Sequence, residues 1–294
     1  MKIDTIFFNA TDGIKLNGFN YKSENTDKKI IISIHGMATN CMKKREETIA
    51  KKVNKIGWDY LTFNNRGHDL VNYCYRENGE KIIAGTAFEE ISDSYFDILG
   101  AINWATENKY EEIYLLGHSL GCTKIVYTYH KFVEEKNTNT LESIKGIILL
   151  SMVDIPMALQ IYLKENFAPM LTYAKNMEKE HLETLLMPEE AFIHPISIKT
   201  FLRYSRDNND IDFAKYSDKT YEFKELNEIK VPLFMRWGNN RELIIQDAKD
   251  LCQVLQSKIQ NKRKSISYIE GADHSYTGKE EELANEIVSF LGRF

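Results

Sequence analysis

Little in this sequence ties it to a metal, a membrane or a nucleic acid. The four cysteines (Cys41, Cys74, Cys122, Cys252) are scattered without a C-x-x-C pair, which in a reducing compartment reads as free thiols. The seven histidines never fall into H-x-x-x-H or H-E-x-x-H, so no metal-ligand spacing exists and no metal or other cofactor is expected. No apolar run reaches 18 residues. The longest, such as Ile30–Ile34 and Ile147–Leu150, are strand-sized, and the mean hydropathy is −0.41. Basic residues are no surplus: 38 Lys and Arg face 43 Asp and Glu, a formal charge of −5. A nucleic-acid partner, which needs a basic surface, is therefore not expected. The opening MKIDTIFFNATDG lacks the charged, apolar and small-residue succession of a secretory signal, so a cytoplasmic location is expected. Prolines number only five, and four of them (Pro156, Pro169, Pro188, Pro195) crowd into one segment.

What is present is an ordinary globular composition, with 43% hydrophobic and 28% charged residues over 294 positions, enough chain for a substantial core. Residues Ile6–Asn9 and Leu16–Tyr21 read as strands joined across Thr11-Asp12-Gly13. Lys29–Ile34 is β-branched and nearly all apolar, as a strand covered on both faces should be. Lys43 to Ile56 has helical spacing and stops at Gly57. Strands are expected at Tyr60–Asn64, Ile113–Leu116, Ile144–Met152, Leu233–Gly238 and Ser265–Ile269. Helices are expected at Ala87–Asn108, Leu120–Val133, Gln246–Ile259 and Glu280–Leu291. This alternation predicts an α/β chain with a mostly parallel central sheet flanked by helices. From Asp154 to Val231 the rhythm breaks: no buried strand is evident, and aromatic and charged residues are frequent. Residues 155–225 therefore read as a helical cap insertion in a core formed by 1–154 and 226–294, one or two helices falling in Lys164–Leu186. The alternative is further layers of a single core.

The sharpest local signal is Gly117-His118-Ser119-Leu120-Gly121, a G-x-S-x-G pattern with a strand before it and a helix after it. Such a turn holds the serine in an unfavourable backbone conformation, and side chains at Gly117 and Gly121 would collide with neighbouring chain. The turn lifts the Ser119 hydroxyl over the carboxyl end of the sheet, beside amides at the start of the next helix that can stabilise an anion.

With this context the chain resembles the α/β-hydrolase superfamily over most of its length outside the insertion, and its ending DHSYTGKEEELANEIVSFL resembles the small intracellular acyl-ester hydrolases of that superfamily. His35-Gly36 falls where that superfamily has its oxyanion loop. Asn65-Arg66-Gly67-His68 resembles its R-G-H segment, and Gly271-Ala272-Asp273-His274 follows the last strand, where its histidine lies. The resemblance implies an α/β-hydrolase fold with a helical cap, and Ser119 as nucleophile. Among the histidines His274 alone occupies a loop after the last strand, and is the expected base. The superfamily's acid is an Asp about three residues beyond a glycine ending the penultimate strand. Here Gly238 is followed by Asn239-Asn240-Arg241-Glu242, with arginine where the Asp would stand. Glu242 is the expected acid, and Asp154 at the end of the preceding strand is the alternative. Asp247 and Asp273 are weaker options. The resemblance also places the oxyanion donors at the backbone amides of Met37 and Leu120.

Other features carry bland readings. Arg66 and Asp69 are read as loop braces, Cys122 and Tyr127–Tyr129 as packing, and His181 and His194 as surface or capping residues. Phe167, Tyr173, Phe192, Phe201 and Tyr204 either line an acyl pocket or pack the cap down. The expected protein is a serine esterase acting on a small-molecule acyl ester, short-chain or aromatic in its acyl group, through an acyl-enzyme. The alternatives are a thioesterase or amidase/peptidase with the same triad, or a hydrolase-fold protein that binds a ligand without turnover. A membrane-interface lipase is disfavoured by the lack of an amphipathic membrane helix.

Overall fold

A computed structural model describes residues 1–25, 28–205, 211–244 and 246–294. The chain opens with an antiparallel pair, β1 (Lys2–Asn9) and β2 (Lys15–Lys22), joined at the predicted Thr11-Asp12-Gly13 turn, where Gly13 takes a φ of 86°. Then come β3 (Lys29–Ile34), α1 (Lys44–Asn54) and β4 (Trp58–Asn64). A small separate hairpin follows, β5 (Asn72–Tyr75) with β6 (Lys81–Ala84). Next are α2 (Ser94–Glu107), β7 (Glu112–His118), α3 (Leu120–Glu134), α4 (Thr138–Ser143) and β8 (Ile144–Leu150). Helices α5 (Ile155–Leu163), α6 (Phe167–Lys179), α7 (Ile198–Ser205) and α8 (Lys224–Glu228) lead to β9 (Leu233–Gly238). Helix α9 (Ala248–Lys258), β10 (Lys264–Ile269) and α10 (Glu280–Leu291) close the chain.

Eight strands form one sheet in the order β1-β2-β4-β3-β7-β8-β9-β10. From β4 to β10 every pairing is parallel; only β1 and β2 run against their neighbours. The central strands face apolar layers on both sides because their residues alternate between them. Ile30, Ile32 and Ile34 of β3, with Leu115 of β7 and Ile147 and Leu149 of β8, join a cluster that includes residues of α2, α3 and α9. Ile31, Tyr114, Leu116, Ile148 and Leu150 point the other way, toward Ile49 and Val53 of α1 and Leu283 and Ile287 of α10. Each fully buried isoleucine of this kind contributes about 1.5–3 kcal/mol.

One expectation needs correction. The helix expected at Ala87–Asn108 begins only at Ser94. Glu89 and Glu90 take extended backbone after a short 3₁₀ turn at Thr86–Phe88, and this carries the Glu89 side chain into the interior to meet Lys124. The helical spacing is sound only from Tyr95 onward. The β5–β6 hairpin was not foreseen, because four-residue strands are too short to show an alternation. Between β8 and β9 the described residues hold no buried strand, only helices, turns and one isolated bridge between Leu186 and Ser197. Ala174, Phe201, Leu202 and Tyr204 from this stretch are buried in the same apolar cluster as Ile32 and Leu115. Residues 206–210 of the expected insertion lie outside the described residues.

Candidate active site

Strand β7 ends at His118, and Ser119 sits at φ 55° and ψ −124° before α3 begins. That positive φ is costly for a serine and is held from both sides. The Ser119 N–H donates to the Leu150 carbonyl at 2.8 Å, and the Ser119 carbonyl accepts from the Cys122 N–H at 2.9 Å. The collisions predicted at the flanking glycines are real. A Cβ on Gly117 would lie 2.6 Å from the Gly121 carbonyl oxygen, and one on Gly121 would lie 2.1 Å from that of Ile34. Leu120 opens α3, so its N–H is among those an α-helix leaves without an intrahelical partner. Met37, Ser119, Leu120 and His274 all line one cavity of about 300 Å³.

The loops after β9 and β10 are tied together, and this brings an acid to the imidazole. Asn239 Oδ1 accepts from the Gly271 N–H at 2.7 Å, its Nδ2 donates to Glu270 at 2.8 Å, and the Asn240 N–H donates to the Ala272 carbonyl at 2.9 Å. Arg241 takes a left-handed φ of 54°, which turns the chain so that Glu242 points inward. His274 Nδ1 donates to Glu242 Oε1, which also accepts from the Leu243 N–H at 3.0 Å. Glu242 Oε2 accepts from the Ser151 hydroxyl at 2.7 Å and the Gly238 N–H at 2.9 Å. Burial pushes the Glu242 carboxyl up, but the bonds from His274, Ser151 and Gly238 together outweigh it and hold the acid below its ordinary value. Glutamate one position late thus reaches where the arginine cannot.

Asp154 is placed elsewhere. Its Oδ1 accepts from the Met157 N–H at 3.2 Å and caps α5, and it faces a separate polar hollow with Asp212 and Lys215. Burial raises its pKa to about 6. A carboxyl whose folded pKa exceeds its unfolded one contributes most to stability below the unfolded value, and that contribution is lost as pH rises through the folded one. Asp154→Asn, which keeps a capping oxygen, is therefore expected to raise Tm at pH 8 and to match wild type at pH 4 by thermal denaturation; an equal Tm at both would refute the assignment. Asp247 caps α9, and Asp273 accepts from the Ser275 and Thr277 amides, so neither meets the imidazole.

Several neighbours escaped the sequence reading. His118 Nε2 donates to the His274 backbone carbonyl at 2.7 Å, and the two rings lie 5.0 Å apart. Burial, then the charges of Arg45 and His274, hold His118 well below the usual histidine range, so it is neutral and a donor at one nitrogen. On the oxyanion side the Asn65 N–H donates to His35 Nε2 at 3.2 Å, so His35 Nδ1 carries its proton to the Gly36 carbonyl at 2.9 Å. This fixes the peptide whose N–H belongs to Met37. Beneath it, buried Lys124 pairs with Glu89 and donates to Asn65 Oδ1 at 3.2 Å. His194, read as a surface or capping residue, lines the cavity beside Phe192. Phe201 and Tyr204 are buried packing residues, and Tyr173 is exposed. Arg66 braces as expected, bonding Asp97 and Asp12, and Cys122 is packed inside. Nothing in the motifs signals His118 or Ser151, since each acts across a loop contact distant in sequence.

Sheet order, elbow and loop placement define an α/β-hydrolase fold, and solved structures agree. Est1E from Butyrivibrio proteoclasticus, solved with ferulic acid bound, is 17% identical with a TM-score of 0.62, covering 98% of both chains. The α/β hydrolase GrgF from Penicillium sp. sh18 is 14% identical with a TM-score of 0.68, covering 100% of this chain and 99% of its own. An esterase of Pyrococcus furiosus is 18% identical with a TM-score of 0.58, covering 100% and 91%. Within that fold the chain belongs to the family described as "Protein of unknown function (DUF1749)", matched over residues 88–292. No curated protein matches it. Among the described residues no cluster of three His, Cys, Asp or Glu could hold a metal, and no helix is long and apolar enough to cross a membrane.

Proposed function

We propose that the protein is a cytoplasmic serine esterase that cleaves a small carboxylic ester through Ser119, His274 and Glu242. The observation that carries this reading is the convergence of Ser119 and His274 on one cavity, with the imidazole Nδ1 bonded to a buried carboxylate. A serine hydroxyl is nearly all protonated at neutral pH, so it needs a base. In this scheme His274 Nε2 takes the Ser119 proton as Oγ bonds to the ester carbon. The carbonyl electrons move onto oxygen, which accepts from the Met37 and Leu120 amides. Collapse breaks the bond to the alkoxy oxygen, and His274 returns the proton to the leaving alcohol. Water then repeats the sequence on the acyl-enzyme, releasing acid and free serine. Glu242 holds the Nδ1–H tautomer and stabilises the imidazolium. Helix α5 and the 192–194 segment of the 155–225 insertion, the proposed cap, wall the cavity and select what enters. The esterases among the structural neighbours, one with an aromatic acid bound, favour an ester over an amide or thioester.

Labelling with a fluorophosphonate probe, with acyl esters as competitors, tests the reading: modification at Ser119 is expected, and a serine that stays unlabelled would refute it. Within this scheme His118 is a positioning residue. His118→Ala should lower kcat on the order of 10- to 100-fold with KM little changed, since a small misplacement of a reacting group costs that much. His118→Gln, which retains a donor, should recover part of the rate; equal losses of kcat and stability in both variants would mean a merely structural role.

A further inference from the structure

The cavity at Ser119 has walls of a particular kind. Leu120 opens α3, Val153 lies between β8 and α5, and Ile155, Ala158 and Leu159 come from α5, while Phe192 closes the aromatic side between Tyr162 and His194. Among the described residues no Lys, Arg, Asp or Glu lines it. A carboxylate, phosphate or ammonium on the inserted part of a substrate would therefore lose its water and meet no ammonium, guanidinium or carboxylate side chain in return. The apolar lining also continues outward. Tyr162, Ile193 and Leu243 line the cavity and are 47%, 57% and 52% exposed, so the path from Ser119 to solvent is rimmed by apolar side chains. At about 30 Å³ for a water-sized group, the cavity of about 300 Å³, open to solvent at its rim, holds roughly ten such groups.

We propose that this site, on the esterase reading above, takes esters of neutral, apolar acyl groups of medium length, about six to ten carbons, and rejects acetyl and charged acyl groups. The acyl group is the part concerned because it stays attached to Ser119 through both half-reactions while the alcohol departs. Each methylene moved from water into such a pocket is worth roughly a fourfold gain, until the walls are filled. Ala158 and Phe192 set the limit: a larger side chain at the first shortens the chamber, and a smaller one at the second lengthens it.

The test is a series of p-nitrophenyl esters from acetate to dodecanoate, with the p-nitrophenyl half-ester of succinate as the charged member. The expected kcat/KM rises about fourfold per methylene, peaks between hexanoate and decanoate, and falls at least tenfold for the succinyl ester relative to pentanoate. Ala158→Phe should move the peak to shorter chains and Phe192→Ala to longer ones, a shift that simple loss of stability does not produce. In parallel, calorimetry on Ser119→Ala should show p-nitrophenyl octanoate binding more tightly than the acetate. Turnover with a flat or acetate-first profile, or with the succinyl ester accepted equally, overturns the proposal and leaves the esterase reading standing. Octanoyl-selective binding without any turnover in wild type does the reverse. The absence of both turnover and length-dependent binding overturns both readings.

Discussion

Ser119→Ala is expected to reduce turnover of an activated ester by about 10⁶-fold, the loss typical when the nucleophile of such a triad is removed. The residue lies at a positive φ fixed by backbone bonds to Leu150 and Cys122. Alanine can occupy that geometry as well as serine can, so the fold should persist and circular dichroism should be unchanged. The hydroxyl is the only group lost. A hydrolase-fold binder would lose nothing, and unchanged turnover in the variant would remove the enzyme reading altogether. The measurement is steady-state hydrolysis of a p-nitrophenyl ester, with fluorophosphonate labelling of the same preparation as the control for a contaminating hydrolase.

Glu242→Gln is the second large effect, with an expected fall in kcat of about 10⁴-fold. The carboxylate accepts four hydrogen bonds: His274 and the Leu243 amide at one oxygen, Ser151 and the Gly238 amide at the other. Glutamine offers one acceptor oxygen. Whichever way it turns, its NH₂ group confronts two donors. Either the imidazole is driven to the wrong tautomer or two loop contacts are lost. The variant should also change the acid response of the protein. Because the folded pKa is depressed, the carboxylate's stabilising contribution is present above about 4.5 and is lost as pH falls through the folded value. Glu242→Gln should therefore lack that acid-side loss, while its Tm at pH 7 falls. Asp154→Asn should leave turnover within a factor of about two, since Asp154 caps α5 and meets no part of the imidazole. The reverse ranking of these two variants would assign the acid to Asp154, at the start of α5.

The frame of the site was legible because its signals are local. Continuous β-branched runs mark strands covered on both faces, and the glycines of the elbow declare a turn that side chains would block. The carboxylate beside His274 was half legible: the sequence has one shortly after β9, but does not show that a left-handed Arg241 would turn Glu242 rather than its neighbours inward. Contacts between loops were invisible. The His118 bond to the His274 carbonyl spans 156 positions, and the Ser151 bond to Glu242 spans 91. The start of α2 was misjudged because the pull of Lys124 on Glu89 is a tertiary effect that no local spacing encodes.

That ion pair sets where the protein can yield. Lys124 is one turn into the helix that presents Ser119, and its ammonium ends in the dry interior between Glu89 and Asn65. Sliding the helix away from the loop of His35 and Gly36 would strand a cation where no water can reach it, a penalty of several kcal/mol. Ser119 and the Met37 and Leu120 amides, the proposed nucleophile and anion donors, therefore form an unyielding anvil. Guests of differing shape must be met by compliance on the opposite wall, in α5 and the 192–194 segment. Variation that retunes selectivity without blunting the chemistry should accumulate there.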